Sequence, residues 1–207
     1  MVKKLIAISG ALFVLTTYAF AALLTSPTTK VYSGAKDVSV EVTVDTQADS
    51  LSAFNATMQY DSTKLTFKQF STDSIPNKQL QYNQTGPGEV KFIVFGMNNY
   101  PISNGKAFDV VFDVIEENAS QISVLFVDTA GATPDAQSVQ VTIDPLVFNV
   151  VLKGDINSDG FVNSADVTLL FQGIIGLKDI PFGEADLNSD GKLTASDLQE
   201  LVNIIIG

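Results

Sequence analysis

The 207-residue sequence predicts two units of different class: an all-β sandwich of jelly-roll topology, then a small all-α unit made from a duplicated loop–helix repeat. Three observations predict this. Residues 26–151 alternate apolar and polar side chains with period two, as a half-buried strand does. From Lys153 onward the apolar spacing becomes helical. And Gly-Asp-Ile-Asn-Ser-Asp-Gly at 154–160 returns as Ala-Asp-Leu-Asn-Ser-Asp-Gly at 185–191, a shift of 31 positions.

The N-terminus reads as an export leader. Lys3 and Lys4 precede the apolar run Leu5–Phe20, and Ala19 and Ala21 form an Ala-x-Ala cleavage pattern, so the mature chain is expected to begin near Ala22. Removing two of the 12 lysines leaves ten against 23 acids, a net charge of −13. No later stretch is apolar enough to span a bilayer. The expectation is a secreted protein, held at a cell surface only through its partners.

The strands follow in order. Val38, Val40, Val42 and Val44 alternate with Ser39, Glu41 and Thr43; Phe54, Ala56, Met58 and Tyr60 repeat the pattern, as do Phe108, Val110, Phe112 and Val114. Further runs cover Val90–Phe95, Ile122–Val127, Val139–Ile143 and Leu146–Leu152. Turn signals separate them: Ser33-Gly34, Gly86-Pro87-Gly88, Asn104-Gly105 and Thr133-Pro134-Asp135. Eight or nine strands over residues 22–151 are expected, with the second unit filling 152–207 after a short hinge.

Composition removes most catalytic chemistry. His, Cys and Trp are absent, and all 12 basic residues are lysine. A Ser–His–Asp triad, a thiol nucleophile and an ordinary zinc site are therefore ruled out. Without arginine forks, and with a net charge of −11, the chain does not suit nucleic acid. A pair of carboxylates could still hydrolyse glycosides. The acid pairs Asp109/Asp113 and Glu116/Glu117 nevertheless read as solvated strand and turn residues.

The repeat carries the chemistry. With Asp155 as loop position 1, Asn157 and Asp159 fall at 3 and 5, Gly160 allows a sharp turn at 6, Phe161 offers its carbonyl at 7, Asn163 sits at 9 and Asp166 closes at 12. The second copy places Asp186, Asn188, Asp190, Gly191, Lys192 (through its carbonyl), Thr194 and Asp197 at the same positions. This is EF-hand loop spacing with Asp in place of the closing Glu. Oxygen donors in that number favour Ca2+ over Mg2+, and two ions are expected. Three carboxylates gathered in each loop would repel without metal, so binding should couple to folding. After each loop comes an apolar face: Val167, Leu170, Phe171, Ile174 and Ile175, then Leu198, Leu201, Val202 and Ile205. Ile180-Pro181-Phe182-Gly183 reads as a connecting loop.

On these motifs residues 153–207 resemble the type I dockerin family: a duplicated calcium loop and helix, Asp at loop position 12 and a connection of this length. The resemblance implies calcium-dependent binding of a cohesin-bearing scaffold through one helix face. The partner-binding positions it implies are Ser164, Ala165, Gln172 and Gly176, then Ala195, Ser196, Asn203 and Gly207. The sandwich resembles a cohesin in Ala53-Phe54-Asn55-Ala56-Thr57-Met58-Gln59-Tyr60-Asp61, Lys64-Leu65-Thr66-Phe67, Glu89–Phe95 and Gly105–Val114. That implies a receptor for a dockerin-bearing protein. The function expected is a non-catalytic adaptor in a polysaccharide-degrading complex. The alternative is a carbohydrate-binding sandwich presenting Tyr82, Phe92, Phe95 and Tyr100 to a polysaccharide.

Overall fold

The computed structural model describes residues 21–46, 51–71, 75–96 and 100–207. The leader expected over 1–21 lies, but for Ala21, outside them. Eleven strands occupy the described residues up to 151: β1 Ala21–Thr25, β2 Thr29–Tyr32, β3 Val38–Asp45, β4 Ala53–Gln59, β5 Leu65–Ser71, β6 Gln79–Gly86, β7 Glu89–Phe95, β8 Gly105–Val114, β9 Ser120–Ala132, β10 Ser138–Ile143 and β11 Leu146–Val151. Three helices follow: α1 Ser164–Ile174, α2 Phe182–Ala185 and α3 Ala195–Ile206.

The strand count exceeds the expected eight or nine, and two of the connections between strands are set by proline. Pro27 falls between β1 and β2, and Pro145 between β10 and β11. Proline has no N–H for the ladder, so each long segment ends on one layer and resumes on the other. β1 lies parallel to β10, with Ala22 opposite Val141, and β2 lies parallel to β11, with Val31 opposite Val150. One layer runs β5-β8-β3-β1-β10; the other runs β2-β11-β9-β4-β7-β6. They join where the 13-residue β9 pairs with β10 through Gly131 and Ala132 as well as with β4 and β11.

The inward rows meet in an aromatic core. Phe54, Phe108, Phe112 and Phe148 are fully buried, among Val40, Val42, Val110, Val124 and Leu146. Phe92 packs at 5.5 Å from Phe108 and 5.0 Å from Phe70. β5 and β6 end the hydrogen-bonded path and do not pair with each other. Rings bridge that seam: Tyr82 on β6 sits 5.5 Å from Phe67 and 5.3 Å from Phe70 on β5. Edge-to-face contacts thus do there what backbone bonds do elsewhere in the wall.

The helical unit has a small core of its own, formed by the repeat. Ile156 and Leu187 hold loop position 2, Leu170 and Leu201 occupy matching helix positions, and Ala185 joins them. The expected connecting loop contains one turn of helix, α2. The expected apolar faces are only partly buried: Phe171 and Ile175 are about half exposed, and Ile205 is exposed as well. A unit of this size cannot enclose both stripes, so the outer row of each stays on the surface.

Candidate metal centres and binding faces

Each loop is held in shape by its own acidic and amide side chains. The two oxygens of Asp155 accept from the Asp159 and Gly160 N–H groups at 3.0 and 2.9 Å. Asn157 Oδ1 accepts from Asp159 N–H, and Asp159 Oδ1 from Phe161 N–H, both at 2.9 Å. The second loop repeats this: Asp186 accepts from Asp190 and Gly191, Asn188 from Asp190, and Asp190 from Lys192, at 2.9 to 3.1 Å. Ser158 and Ser189 adopt φ of 59° and 60°, and Gly160 and Gly191 follow at 87° and 78°. Two left-handed residues, separated by Asp159 in one loop and Asp190 in the other, produce the tight turn, and glycine takes the more extreme one without strain.

The closing residues, Asp166 and Asp197, are fully buried. Asp166 accepts from Ile156 and Asn157 N–H at 2.8 and 3.1 Å through one oxygen, and from Asn163 N–H at 2.9 Å through the other. Asp197 does the same with Leu187, Asn188 and Thr194. Asn163 and Thr194 in turn cap α1 and α3, so position 9 starts the helix and position 12 completes a capping box. Burial pushes the Asp197 carboxyl up, but the backbone N–H groups around it outweigh this and hold it below the ordinary carboxylate value.

Among the described residues, no three His, Cys, Asp or Glu side chains form a cluster able to hold a metal. The expected gathering of three carboxylates in each loop is therefore not found in that form, because the acids point to backbone N–H groups. What each loop carries along its turn is a mixed series of oxygen donors: Asp155, Asn157, Asp159, the Phe161 carbonyl, Asn163 and Asp166, and their counterparts Asp186, Asn188, Asp190, the Lys192 carbonyl, Thr194 and Asp197. A carboxylate oxygen that accepts a single N–H bond, as each oxygen of Asp155 and of Asp186 does, keeps a second acceptor direction. A turn with two left-handed residues, fixed by its own donors, fits a hard cation that takes 6–8 flexible oxygen ligands.

The implied partner positions are on the surface. Ser164, Ala165, Gly176, Ala195, Ser196, Asn203 and Gly207 are exposed, and Gln172 is half-buried. Reasoning from the family positions missed the apolar residues beside them. Phe171, Ile175 and Leu177 by α1, and Ile204, Ile205 and Ile206 on α3, are all exposed. Their signal was in the sequence, as apolar stripes wider than a five-residue core can cover.

The two outer faces of the sandwich differ. On β3, β5 and β8 the acids are ion-paired: Asp113 with Lys68 at 3.4 Å and Lys36 at 3.7 Å, Asp109 with Lys106 at 2.7 Å. Glu116, just past β8, pairs with Lys64 at 2.8 Å. Asp109, Asp113 and Glu116, considered as carboxylate pairs, thus each face lysine. The outer face of β6-β7-β4-β9 instead carries exposed Ile93 and Leu125 among Asn55, Gln59, Gln81, Asn83 and Lys91. An open depression of ≈ 350 Å³ there is lined by Asn55, Thr57, Gln81, Tyr82, Asn83 and Ile93, among others. Of the aromatics considered for sugar stacking, Phe92 is core, Phe95 is half-buried, Tyr82 is 44% exposed while packing against Phe67 in the β5–β6 seam, and Tyr100 is 66% exposed.

Fold and loops together define a two-module protein, a β-sandwich followed by a duplicated loop–helix module. The cohesin domain family matches residues 24–147 and the dockerin type I domain family matches residues 153–206. The chain belongs to the cohesin family and carries a C-terminal dockerin type I domain. Neither domain is a catalytic one. Solved structures agree on the sandwich. CaCohA2 from Clostridium acetobutylicum is 18% identical, with TM-score 0.56, over 63% of this chain and 91% of that one. A non-cellulosomal cohesin from the archaeon Archaeoglobus fulgidus is 19% identical, with TM-score 0.54, over 63% and 91%. The Coh-OlpA-Doc918 complex from Clostridium thermocellum, a type I cohesin–dockerin complex, matches at 13% identity and TM-score 0.56, over 63% and 99%. No curated protein matches the chain. Among the described residues no helix is long and apolar enough to cross a membrane.

Proposed function

We propose that this chain is an exported, non-catalytic adaptor with a cohesin receptor over residues 22–151 and a calcium-loaded dockerin plug over 152–207. The observation that carries the reading is the pair of superposable loop networks, each closed by a fully buried Asp that starts a helix. One Ca2+ in each loop, held by the oxygen donors named above, would supply positive charge beside those acids. It would thereby tie α1 and α3 to their loops.

The plug binds a cohesin-bearing scaffold through α1 and α3, where exposed Phe171, Ile175 and Ile204–206 stand beside Ser164, Ala165, Ala195 and Ser196. The receptor takes a dockerin-bearing protein on the β6-β7-β4-β9 face. That choice is supported by the contrast between its uncharged amides with Ile93 and Leu125 and the lysine–acid lattice opposite. Apolar residues surrounded by hydrogen-bonding groups are what protein interfaces bury. Assembly with enzymes that degrade a polysaccharide is the setting the reading implies. Secretion rests on the leader pattern, Lys3-Lys4 and Leu5–Phe20.

The test is surface plasmon resonance of the intact chain against arrays of cohesin and dockerin modules, in calcium and in chelator. The expected outcome is capture of members of both arrays, with cohesin capture lost in chelator. Ile93→Asp should abolish dockerin capture and leave cohesin capture intact. A calcium-loaded chain that captures neither class would overturn the proposal.

A further inference from the structure

The two modules meet at α2. Lys30 on β2 makes an ion pair with Glu184 in α2, and Glu184 is 5% exposed. Tyr32, two residues along β2 on the same side of the strand, brings its hydroxyl against Gly183, where an added Cβ would come within 3.1 Å of it. Burial pushes the Tyr32 hydroxyl up from its ordinary value. On the sequence-linked side the joint is also tied down. Gly154 N–H donates to the Glu184 carbonyl at 3.3 Å, and Asp155 N–H to the Leu152 carbonyl at 3.2 Å. Lys153 Nζ donates to the Leu187 carbonyl at 2.7 Å, reaching the second loop from the linker itself.

The last three contacts fix the linker to the helical module, whereas Lys30–Glu184 and Tyr32–Gly183 cross between modules and serve the internal packing of neither. Among the described residues β2 is the outer strand of its layer, paired with β11 alone, and an isolated sandwich would leave Lys30 without Glu184 and the half-buried Tyr32 more open to water. An isolated helical module would likewise leave Glu184 without its lysine. A carboxylate as covered as Glu184 is costly unless a cation meets it, and the only lysine paired with it among the described residues comes from the other module.

We infer that α2 is an interaction surface for the chain's own sandwich: it clamps the helical module to the edge of β2, so that receptor and plug form one rigid body with a fixed angle between their binding faces. The short connection, Leu152-Lys153, is then a braced elbow and not a hinge. The clamp uses α2 and leaves α1 and α3 uncovered, so the plug cannot turn back to occupy its own receptor. Both faces stay free for partners on other molecules. The clamp itself depends on neither partner specificity nor the identity of the receptor face.

The absence of cysteine makes the test direct, since two introduced cysteines label without background. Spin labels at Thr66→Cys, on exposed β5, and Glu200→Cys, on exposed α3, report the distance between modules by double electron–electron resonance in the full chain. A single narrow distance distribution is expected in the otherwise native chain. Lys30→Glu should broaden it several-fold, and the exchanged pair Lys30→Glu with Glu184→Lys should narrow it again. Lys30 lies outside the helical module, so helical circular dichroism recorded on the same samples separates an opened clamp from an unfolded plug. A broad distribution in the native chain, or a distribution unchanged by Lys30→Glu, would overturn the clamp. Loss of helical signal with calcium bound would instead count against the loop assignment.

Discussion

Asp166 and Asp197 each accept loop N–H groups and complete a capping box, and in the proposed function each would also offer an oxygen to a cation. Replacing either by Asn keeps the shape but turns one acceptor into a donor facing an N–H group, at a cost of about 1–3 kcal/mol for the unsatisfied buried pair. Asp166→Asn and Asp197→Asn should each lower the thermal midpoint of the helical module and weaken calcium binding at one loop only, as read by calorimetry. Unchanged affinity in both variants would exclude position 12 as a ligand. A second prediction concerns pH. The hydrogen bond from Lys64, then that from Asn118 N–H, holds the Glu116 carboxyl down at about 2, against an ordinary value of 4.5. A lowered acid stabilises the fold fully above its ordinary value, and that stabilisation disappears as pH falls through the lowered one. The difference in urea midpoint between the native chain and Glu116→Gln should therefore be full at neutral pH and shrink between about 4.5 and about 2. A difference that is constant down to pH 2 would show that the Lys64–Glu116 pair is not what lowers the carboxyl.

At the scale of elements, what was legible in the chain was whatever repeats a period. The Val38–Val44 alternation became β3 and the Phe108–Val114 alternation β8, paired with Val40 opposite Val110 and Val42 opposite Phe108. β6, Gln-Leu-Gln-Tyr-Asn-Gln-Thr-Gly, was illegible because an edge strand with most of its residues exposed carries no clear alternation. β1 was hidden because it follows directly on the apolar run that reads as a leader, and α2 under a Pro-Phe-Gly sequence that reads as a turn. The duplication of the loops was legible, since Asp, Asn and Gly recur at fixed offsets 31 positions apart and each copy folds into the same turn before a capped helix. The apolar surface of α1 and α3 was not, because helical spacing marks a stripe without saying how much of it a small core can cover. Turn chemistry offers a sharp test. Gly88 sits at φ +74° in the β6–β7 turn, where a Cβ would come within 2.3 Å of the Tyr60 carbonyl oxygen. Gly88→Ala should cost ~1–3 kcal/mol in unfolding free energy. Gly86→Ala, with nothing within 4 Å, should be close to neutral in the same urea titration. Equal effects would show that the β6–β7 turn does not approach Tyr60 so closely.

For the whole molecule, a receptor and a plug on one chain admit two modes of assembly: linking two foreign partners, or joining copies head to tail. The second, if receptor and plug are compatible, is a heterologous contact that does not close on itself and so gives open chains. A braced joint would make such chains regular, because each copy would present its plug at the same angle to its receptor. Both modes rest on the helical module being a calcium-folded plug. Isothermal titration of calcium into the metal-stripped full chain, with far-UV circular dichroism recorded at each step, tests that most directly. The account predicts two equivalents bound, a rise in helical signal, and one equivalent lost with each of Asp155→Ala and Asp186→Ala. No heat of binding, with a helical signal already complete in chelator, would contradict it.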